Sequence, residues 1–174
     1  MRKKCVWYLF IVCLLVTLLG GCGGEEPVSA VQGPPVAGLR EGVYIGMTKD
    51  ALIQLVGQPA LDVIDEDGHP LVEYDAETLF GVTFRSMYVF DDTGLIHAQY
   101  VTDYVEPEVA KKTYDQAYAS VVKALSGRPG YLDDGTEGTI GSDERVTVNV
   151  SAENFTVHVS YEYGMLGFDI IKNK

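Results

Sequence analysis

The 174-residue chain is 47% hydrophobic and 22% charged, a composition typical of a globular protein with a hydrophobic core of ordinary size. Its formal net charge of −12 argues against binding to nucleic acid and against electrostatic attraction to anionic lipid.

The first 21 residues predict a bacterial lipoprotein signal peptide. A basic cluster at positions 2–4 precedes an apolar run over residues 6–19, which has the length of a signal h-region. A transmembrane helix needs about 20 apolar residues, so this run is short for a membrane span. The tetrapeptide Leu-Gly-Gly-Cys ending at Cys22 has the pattern of a lipobox, and we expect lipid, including palmitate, on the Cys22 thiol. A plain secretory signal or an uncleaved anchor is the alternative.

Removal of the signal changes the charge and the cysteine content of the chain. The removed segment holds three basic residues and no acidic ones, so the formal charge falls from −12 to −15. Cys5 and Cys13 leave with it, and Cys22 alone cannot form an intrachain disulfide. We expect a lipid-anchored protein on the extracytoplasmic face of a membrane, the outer membrane if the cell has one and otherwise the cell membrane. Residues 22–38, rich in Gly and Pro, are predicted to be a flexible tether.

Residues 46–59 predict a short helix with a sharp end. The Thr48 side chain can accept a hydrogen bond from a free N–H of the first turn. Gly57 supplies the left-handed residue that closes a helix, and Pro59 prevents its continuation.

A weaker copy of this pattern occurs seventy residues later. Gly127 and Pro129 repeat the Gly-x-Pro spacing, and Leu125 corresponds to Leu55. The repetition predicts a second helix-ending signal and a duplicated structural unit.

Alternating apolar residues and turn sequences predict antiparallel strands after each helix. The predicted strands cover residues 61–65, 71–75, 82–90, 95–101, 145–150, 155–163 and 168–171, and residues 130–144 are predicted to be a loop. An amphipathic helix is predicted from Pro107 to Ser126. The order predicts an α+β fold of two tandem helix-then-antiparallel-strands units, residues 39–104 and 105–174, forming one sheet with helices on one face.

The other face of this sheet is predicted to be polar and available for binding. Tyrosines outside the apolar stripes are further candidates, because tyrosine is favoured at protein interfaces. The predicted partner-binding residues are Arg85, His97, Gln99, His158, Tyr104 and Tyr131.

Several motifs within residues 40–103 carry a family resemblance. They are Ile45-Gly46-Met47-Thr48, Leu55-Val56-Gly57-Gln58-Pro59, Val72-Glu73-Tyr74, and Met87-Tyr88-Val89-Phe90 followed by Gly94-Leu95. Together they resemble the BamE (SmpA/OmlA) lipoprotein domain, a small α+β domain that helps to assemble outer-membrane barrels. The repeated unit is similar to the tandem architecture of the β-lactamase inhibitor protein. The resemblance implies a scaffold or binding role.

The sequence contains no recognisable catalytic or metal-binding set. The acidic stretch over residues 62–68 fails as an EF-hand, because Val63 and Tyr74 stand where oxygen ligands are needed, and it is interpreted as a hairpin turn. The three histidines lack metal-ligand spacing, and no Gly-x-Ser-x-Gly nucleophile motif is present. We therefore predict a protein without cofactor, metal or enzymatic activity.

These observations lead to one main functional hypothesis. The chain is predicted to be a lipid-anchored envelope protein that binds or helps to assemble another envelope or extracytoplasmic protein, with no nucleic-acid partner. The alternatives are an inhibitor of an extracytoplasmic hydrolase and a small-ligand sensor.

Overall fold

A computed structural model describes residues 39–138, 140–141, 145–153 and 155–173. The predicted signal peptide, Cys22 and the predicted tether lie outside the described residues. The elements in chain order are α1 Lys49–Val56, β1 Leu61–Ile64, β2 Pro70–Leu79, β3 Val82–Asp91, β4 Gly94–Val101, α2 Pro107–Leu125, β5 Leu132–Asp133, β6 Arg145–Ala152, β7 Phe155–Glu162 and β8 Met165–Lys172. Within those ranges, neither helix has the length and apolar character needed to cross a membrane.

All eight strands belong to one antiparallel sheet. Their order is β1-β2-β3-β4-β8-β7-β6-β5, so the C-terminal strand β8 lies between β4 and β7. The strands of the N-terminal half therefore join those of the C-terminal half through β8, in the middle of the sheet.

The prediction of an α+β fold made of tandem helix-strand units is wrong. The structure is 21% helical and 47% strand, and one eight-stranded sheet with two helices makes it mainly β. The two helices are not equivalent, because α2 packs against β6, β7 and β8 with six buried side chains, whereas α1 buries Leu52 alone. Leu125 is fully buried, but its supposed counterpart Leu55 is 48% exposed. A Gly-x-Pro repeat specifies where a helix ends, and it does not specify what covers the helix.

Three strand assignments differ from the predictions. β2 extends beyond residue 75, because a bulge between Tyr74 and Glu77 breaks the period-two pattern that the prediction used. Tyr163, the end of the strand predicted over residues 155–163, lies instead in the β7–β8 turn. Its side chain is exposed and its φ is +48°. The short strand β5 falls inside the predicted loop of residues 130–144.

Aromatic side chains fill the centre of the hydrophobic core. Phe84 on β3 and Phe168 on β8 are fully buried, and their ring centroids are 5.0 Å apart. Tyr88 and Tyr100 meet edge to face at 5.8 Å on the neighbouring strands β3 and β4. Burial of each such ring stabilises the fold by about 1.5–3 kcal/mol relative to exposure, so these contacts hold the middle strands together.

A buried carboxylate lies beside these rings. The β2 bulge places Glu77 among core side chains, where the Tyr88 hydroxyl donates a hydrogen bond to Oε2 at 2.6 Å. The Ser86 hydroxyl donates to the same oxygen, and the Arg40 guanidinium lies 3.1 Å from Oε1. Burial raises the pKa of Tyr88, which therefore stays protonated as a donor. Glu77 thus connects the segment before α1 to β2 and β3.

The loop before α1 packs directly on the start of β4. The Gly46 N–H donates to the Leu95 carbonyl at 2.8 Å, and the Leu95 N–H donates to the Met47 carbonyl at 2.8 Å. Gly94 has a φ of +104°, and a Cβ at this residue would lie 2.2 Å from the Gly46 carbonyl oxygen. Only a residue without a Cβ allows the two backbones to approach this closely.

We expect Gly94→Ala to destabilise the protein more than Gly57→Ala does. Gly57 has a similar φ of +107° but no atom within 4 Å of the position of a Cβ, so it is the matched control for backbone strain alone. The additional loss at Gly94 should be about 2 kcal/mol or more, because backbone must move. Urea unfolding of both variants measures the difference, and equal losses would contradict the close-approach argument.

Candidate binding face

The sheet face that points away from the core forms an extended polar surface, which we call the open face. Its side chains on the five strands β3, β4, β8, β7 and β6 are half-buried to exposed, apart from the buried Val89. They include Arg85, Met87, His97, Gln99, Asp169, Ile171, Thr156, His158, Ser160, Thr147 and Asn149. Strand register places Gln99, Asp169, His158 and Asn149 in one row across four neighbouring strands.

Asp169 lies at the centre of this row and organises its neighbours. Gln99 Nε2 donates a hydrogen bond to Asp169 Oδ1 at 2.9 Å, and His97 Nε2 lies 3.1 Å from the same oxygen. On β7, His158 Nδ1 lies 2.7 Å from Asn149 Oδ1, a contact that requires a proton on Nδ1. These side chains are therefore held in fixed positions before any partner arrives.

The same contacts change the acidity of Asp169. Burial raises the pKa of this carboxyl group and is the largest single influence, while the hydrogen bonds from His97 and Gln99 lower it. The nearby imidazoles of His97 and His158 add to the lowering, and the net pKa is below the usual value for an aspartate. Asp169 is not among the residues predicted from the sequence. The signal that identifies it is the alternation along β8, which places it on the face of Gly167 and Ile171.

Arg85 lines two grooves at one end of the open face. The first groove, of about 230 Å³, runs beside Glu73 and Gln99, and the second, of about 250 Å³, runs beside Asp103 and Tyr104. The Arg85 side chain is 67% exposed, and its nearest carboxylate oxygen, on Asp103, is 3.7 Å away. An exposed ion pair of this kind is weak, so the guanidinium is available to a partner. Both grooves are smaller than the roughly 300–1,000 Å³ typical of small-molecule pockets.

Tyr104 is exposed at the same end of the sheet. Its ring crosses the β7–β8 turn so closely that a Cβ on Gly164 would lie 2.4 Å from the ring. The Val105 N–H donates to the Gly164 carbonyl at 2.7 Å, which fixes the backbone that carries Tyr104. Tyr163, next to Gly164, is exposed as well. This end of the sheet therefore presents arginine and tyrosine, the residue types that contribute most to protein–protein binding.

Tyr131 lies apart from the other predicted residues. Its hydroxyl lies 3.3 Å from Asp133 Oδ2, and the Tyr118 hydroxyl of α2 donates to the same oxygen at 2.7 Å. The hydrogen bond to Asp133, followed by burial, raises the pKa of Tyr118 to about 12. Asp133 pairs with the buried Val150, so Tyr131 belongs to the helix side of the sheet. The structure thus brings together four of the predicted residues, Arg85, His97, Gln99 and His158, and places Tyr104 at their edge.

Among the described residues, potential metal ligands converge in the β1–β2 turn. Oxygen or nitrogen atoms of Asp65, Asp67 and His69 lie within 4.8 Å of one another. Asp65 Oδ1 accepts the backbone N–H groups of Asp67 at 3.0 Å and His69 at 2.8 Å. The carboxylate closes the turn, which agrees with the hairpin interpretation of residues 62–68.

Comparisons with protein-family models, with curated proteins and with solved structures found no match. The resemblance to the BamE domain and to the β-lactamase inhibitor protein stays a prediction that rests on short motifs. Two of those motifs, around Gly46-Met47 and Gly94-Leu95, contact each other in the structure. This close backbone contact explains why glycine stands at Gly94 in this chain.

We expect Asp169→Asn to remove a pH-dependent part of the stability. Because the folded-state pKa of Asp169 is lowered, its stabilising effect is complete above the unfolded pKa of about 3.9 and is lost as the pH falls through the folded value. The wild-type advantage, about 1 kcal/mol near neutral pH, should shrink below about pH 4.

Urea unfolding across this pH range measures the effect. Asp103→Asn is the matched control, because it removes a carboxylate that lies just beyond β4 and is 93% exposed to solvent. A wild-type advantage over Asp169→Asn that persists unchanged at the lowest pH would contradict the assignment.

Proposed function

We propose that this protein is a lipid-anchored bacterial envelope protein whose non-enzymatic β domain binds another envelope protein through the open face. The observation that carries the proposal is the pre-arranged polar group around Asp169, with exposed arginine and tyrosine at one end of the same surface. The lipobox ending at Cys22 supports the anchor.

The chemistry of the open face supports a protein as the partner. His97 and Gln99 already contact Oδ1 of Asp169, so a partner that covers this carboxylate leaves that oxygen hydrogen-bonded. Ile171 adds exposed apolar area on the same face, and Arg85 with Tyr104 supplies anchors at its end. Both grooves are smaller than typical small-molecule pockets, whereas an extended surface with polar and apolar parts is typical of protein interfaces.

The charge of the chain favours a basic partner surface. The expected mature chain has a formal charge of −15, which would accelerate encounter with a positively charged protein and repel anionic lipid and nucleic acid. Association should accordingly slow as the salt concentration rises.

Site-specific photo-cross-linking tests the open face in membranes that contain the full-length lipoprotein. A photoreactive residue at Thr156 or Ile171, on the open face, should give a discrete adduct with one protein. The same residue at Lys112 or Lys123, exposed on α2, should not. Arg85→Ala should reduce the open-face adduct about tenfold, as expected for loss of an interface arginine worth more than 1 kcal/mol.

Adducts from the α2 positions alone, or none from the open face, would refute the proposed binding surface. The identity of the cross-linked protein also decides between an assembly partner and a hydrolase. In the latter case an inhibition assay with the purified pair tests the inhibitor alternative.

Lipid attachment is tested separately. We expect Cys22→Ser to abolish incorporation of a labelled fatty acid and to release the protein from the membrane fraction, because the thiol is the acceptor. Cys13→Ser, in the same predicted leader, is the matched control and should keep both properties. Label retained by Cys22→Ser would contradict the anchor.

A further inference from the structure

Strand β1 forms an exposed edge of the sheet. Within the described residues it pairs with β2 alone, and its apolar side chains Leu61, Val63 and Ile64 are 42%, 39% and 63% exposed. Edge strands of monomeric proteins usually carry lysine, proline or a bulge that blocks further pairing. β1 carries one charge, Asp62, which is already bound to Lys49 at 2.9 Å.

The backbone of β1 presents free hydrogen-bonding groups at this edge. The Asp65 N–H donates to the His69 carbonyl at 2.9 Å, directly beyond the register pair of Ile64 with Pro70. Bonded and non-bonded pairs alternate in an antiparallel ladder, so the pairs of Ile64 and Asp62 with β2 are the non-bonded ones. Pro70 has no N–H to donate, which agrees with this assignment. The N–H and C=O groups of Asp62 and Ile64 therefore point away from β2.

We propose that β1 pairs with β1 of a second copy of this chain, antiparallel and about a two-fold axis at Val63. In this register Asp62 of each copy exchanges backbone hydrogen bonds with Ile64 of the other, so the same short segment supplies every donor and acceptor. Val63 faces its own mate on one face of the joined sheet, and on the other face Ile64 of each copy lies opposite Asp62 of its partner.

The distribution of charge favours a second copy in this register. The acidic turn at residues 65–67 of one copy lies opposite residues 59–61 of the other, which carry no charge, so the two acidic turns do not meet. Asp62 keeps its ion pair with Lys49 of its own chain. The opposite edge, β5, has two residues and is followed by Asp134, so it does not offer the same self-complementary pairing.

Because β1 is short, we expect copies to associate through it only where their local concentration is high. Four residues bury much less than the roughly 800 Å² per partner of a standard interface, so association in dilute solution is weak. Copies held on one membrane surface by the lipid anchor of the proposed function, on which this step rests, meet at a far higher effective concentration. The test therefore uses the full-length chain in membranes.

Disulfide cross-linking tests the axis. Val63 and its mate form a non-hydrogen-bonded antiparallel pair, whose Cα atoms are about 4.5 Å apart, within the 4.4–6.8 Å that a disulfide spans. Mild oxidation of Val63→Cys should give at least about tenfold more covalent dimer than Leu132→Cys on β5 or Ile171→Cys on the open face. The unaltered chain measures any contribution from Cys22. A Val63→Cys yield no higher than these controls, or a cross-link to a different protein alone, would overturn the proposal.

A charge exchange supplies an independent test. Val63→Lys and Val63→Glu each place like charges across the axis, and each should lower energy transfer between two differently labelled copies in membranes about tenfold, equivalent to about 1.4 kcal/mol. Co-expression of the two variants should restore the energy transfer, whereas Leu132→Lys, at an exposed position on β5, should have no effect. Since Val63 is exposed, circular dichroism should show an unchanged fold. If co-expression of Val63→Lys with Val63→Glu did not restore the association of the two copies, the two-fold register would be overturned.

Discussion

The buried carboxylate of Glu77 is the interaction on which the arrangement of the N-terminal half depends. Removing a carboxylate from water costs several kcal/mol. The cost is offset by the Tyr88 and Ser86 hydroxyls, which donate to Oε2, and by the Arg40 guanidinium, which forms an ion pair with Oε1. Since Arg40 belongs to the segment before α1, the ion pair fixes that segment to the sheet. The loop that follows, with Gly46, can then reach the start of β4.

Two bulges determine which side chains lie on the open face. The bulge in β2 turns Glu77 into the core, and the irregularity between Val89 and Phe90 leaves both of those residues buried. Beyond them, regular register carries Gln99, Asp169 and His158 across neighbouring strands. The polar group that supports the proposed binding function is therefore a consequence of strand pairing far from the loops.

Helix-start signals and the alternation of apolar residues correctly predicted the helix α2 and the outward-facing side chains of the strands, which depend on neighbouring residues in the sequence. Pro107 and the apolar stripe predicted α2, and alternation placed His97 and His158 on the outward face. The fold class was wrong because helix-ending signals at Gly57 and Gly127 say nothing about burial, which nonlocal contacts decide. Asp169 was missed for a related reason. Its role follows from lying between β4 and β7, and no local pattern shows which strands will be neighbours.

The central position of β8 has a consequence for how the chain reaches its folded state. Pairs such as Val101 with Gly167 join residues that are far apart in the sequence, and contacts of this kind slow folding because a long loop must close first. Until the last strand enters, β4 and β7 both expose unpaired backbone in the middle of the future sheet, where another chain can add to them. Pairing of the eight-residue strand β8 with both β4 and β7 is thus the step that joins two half-sheets with unpaired edges into one continuous sheet.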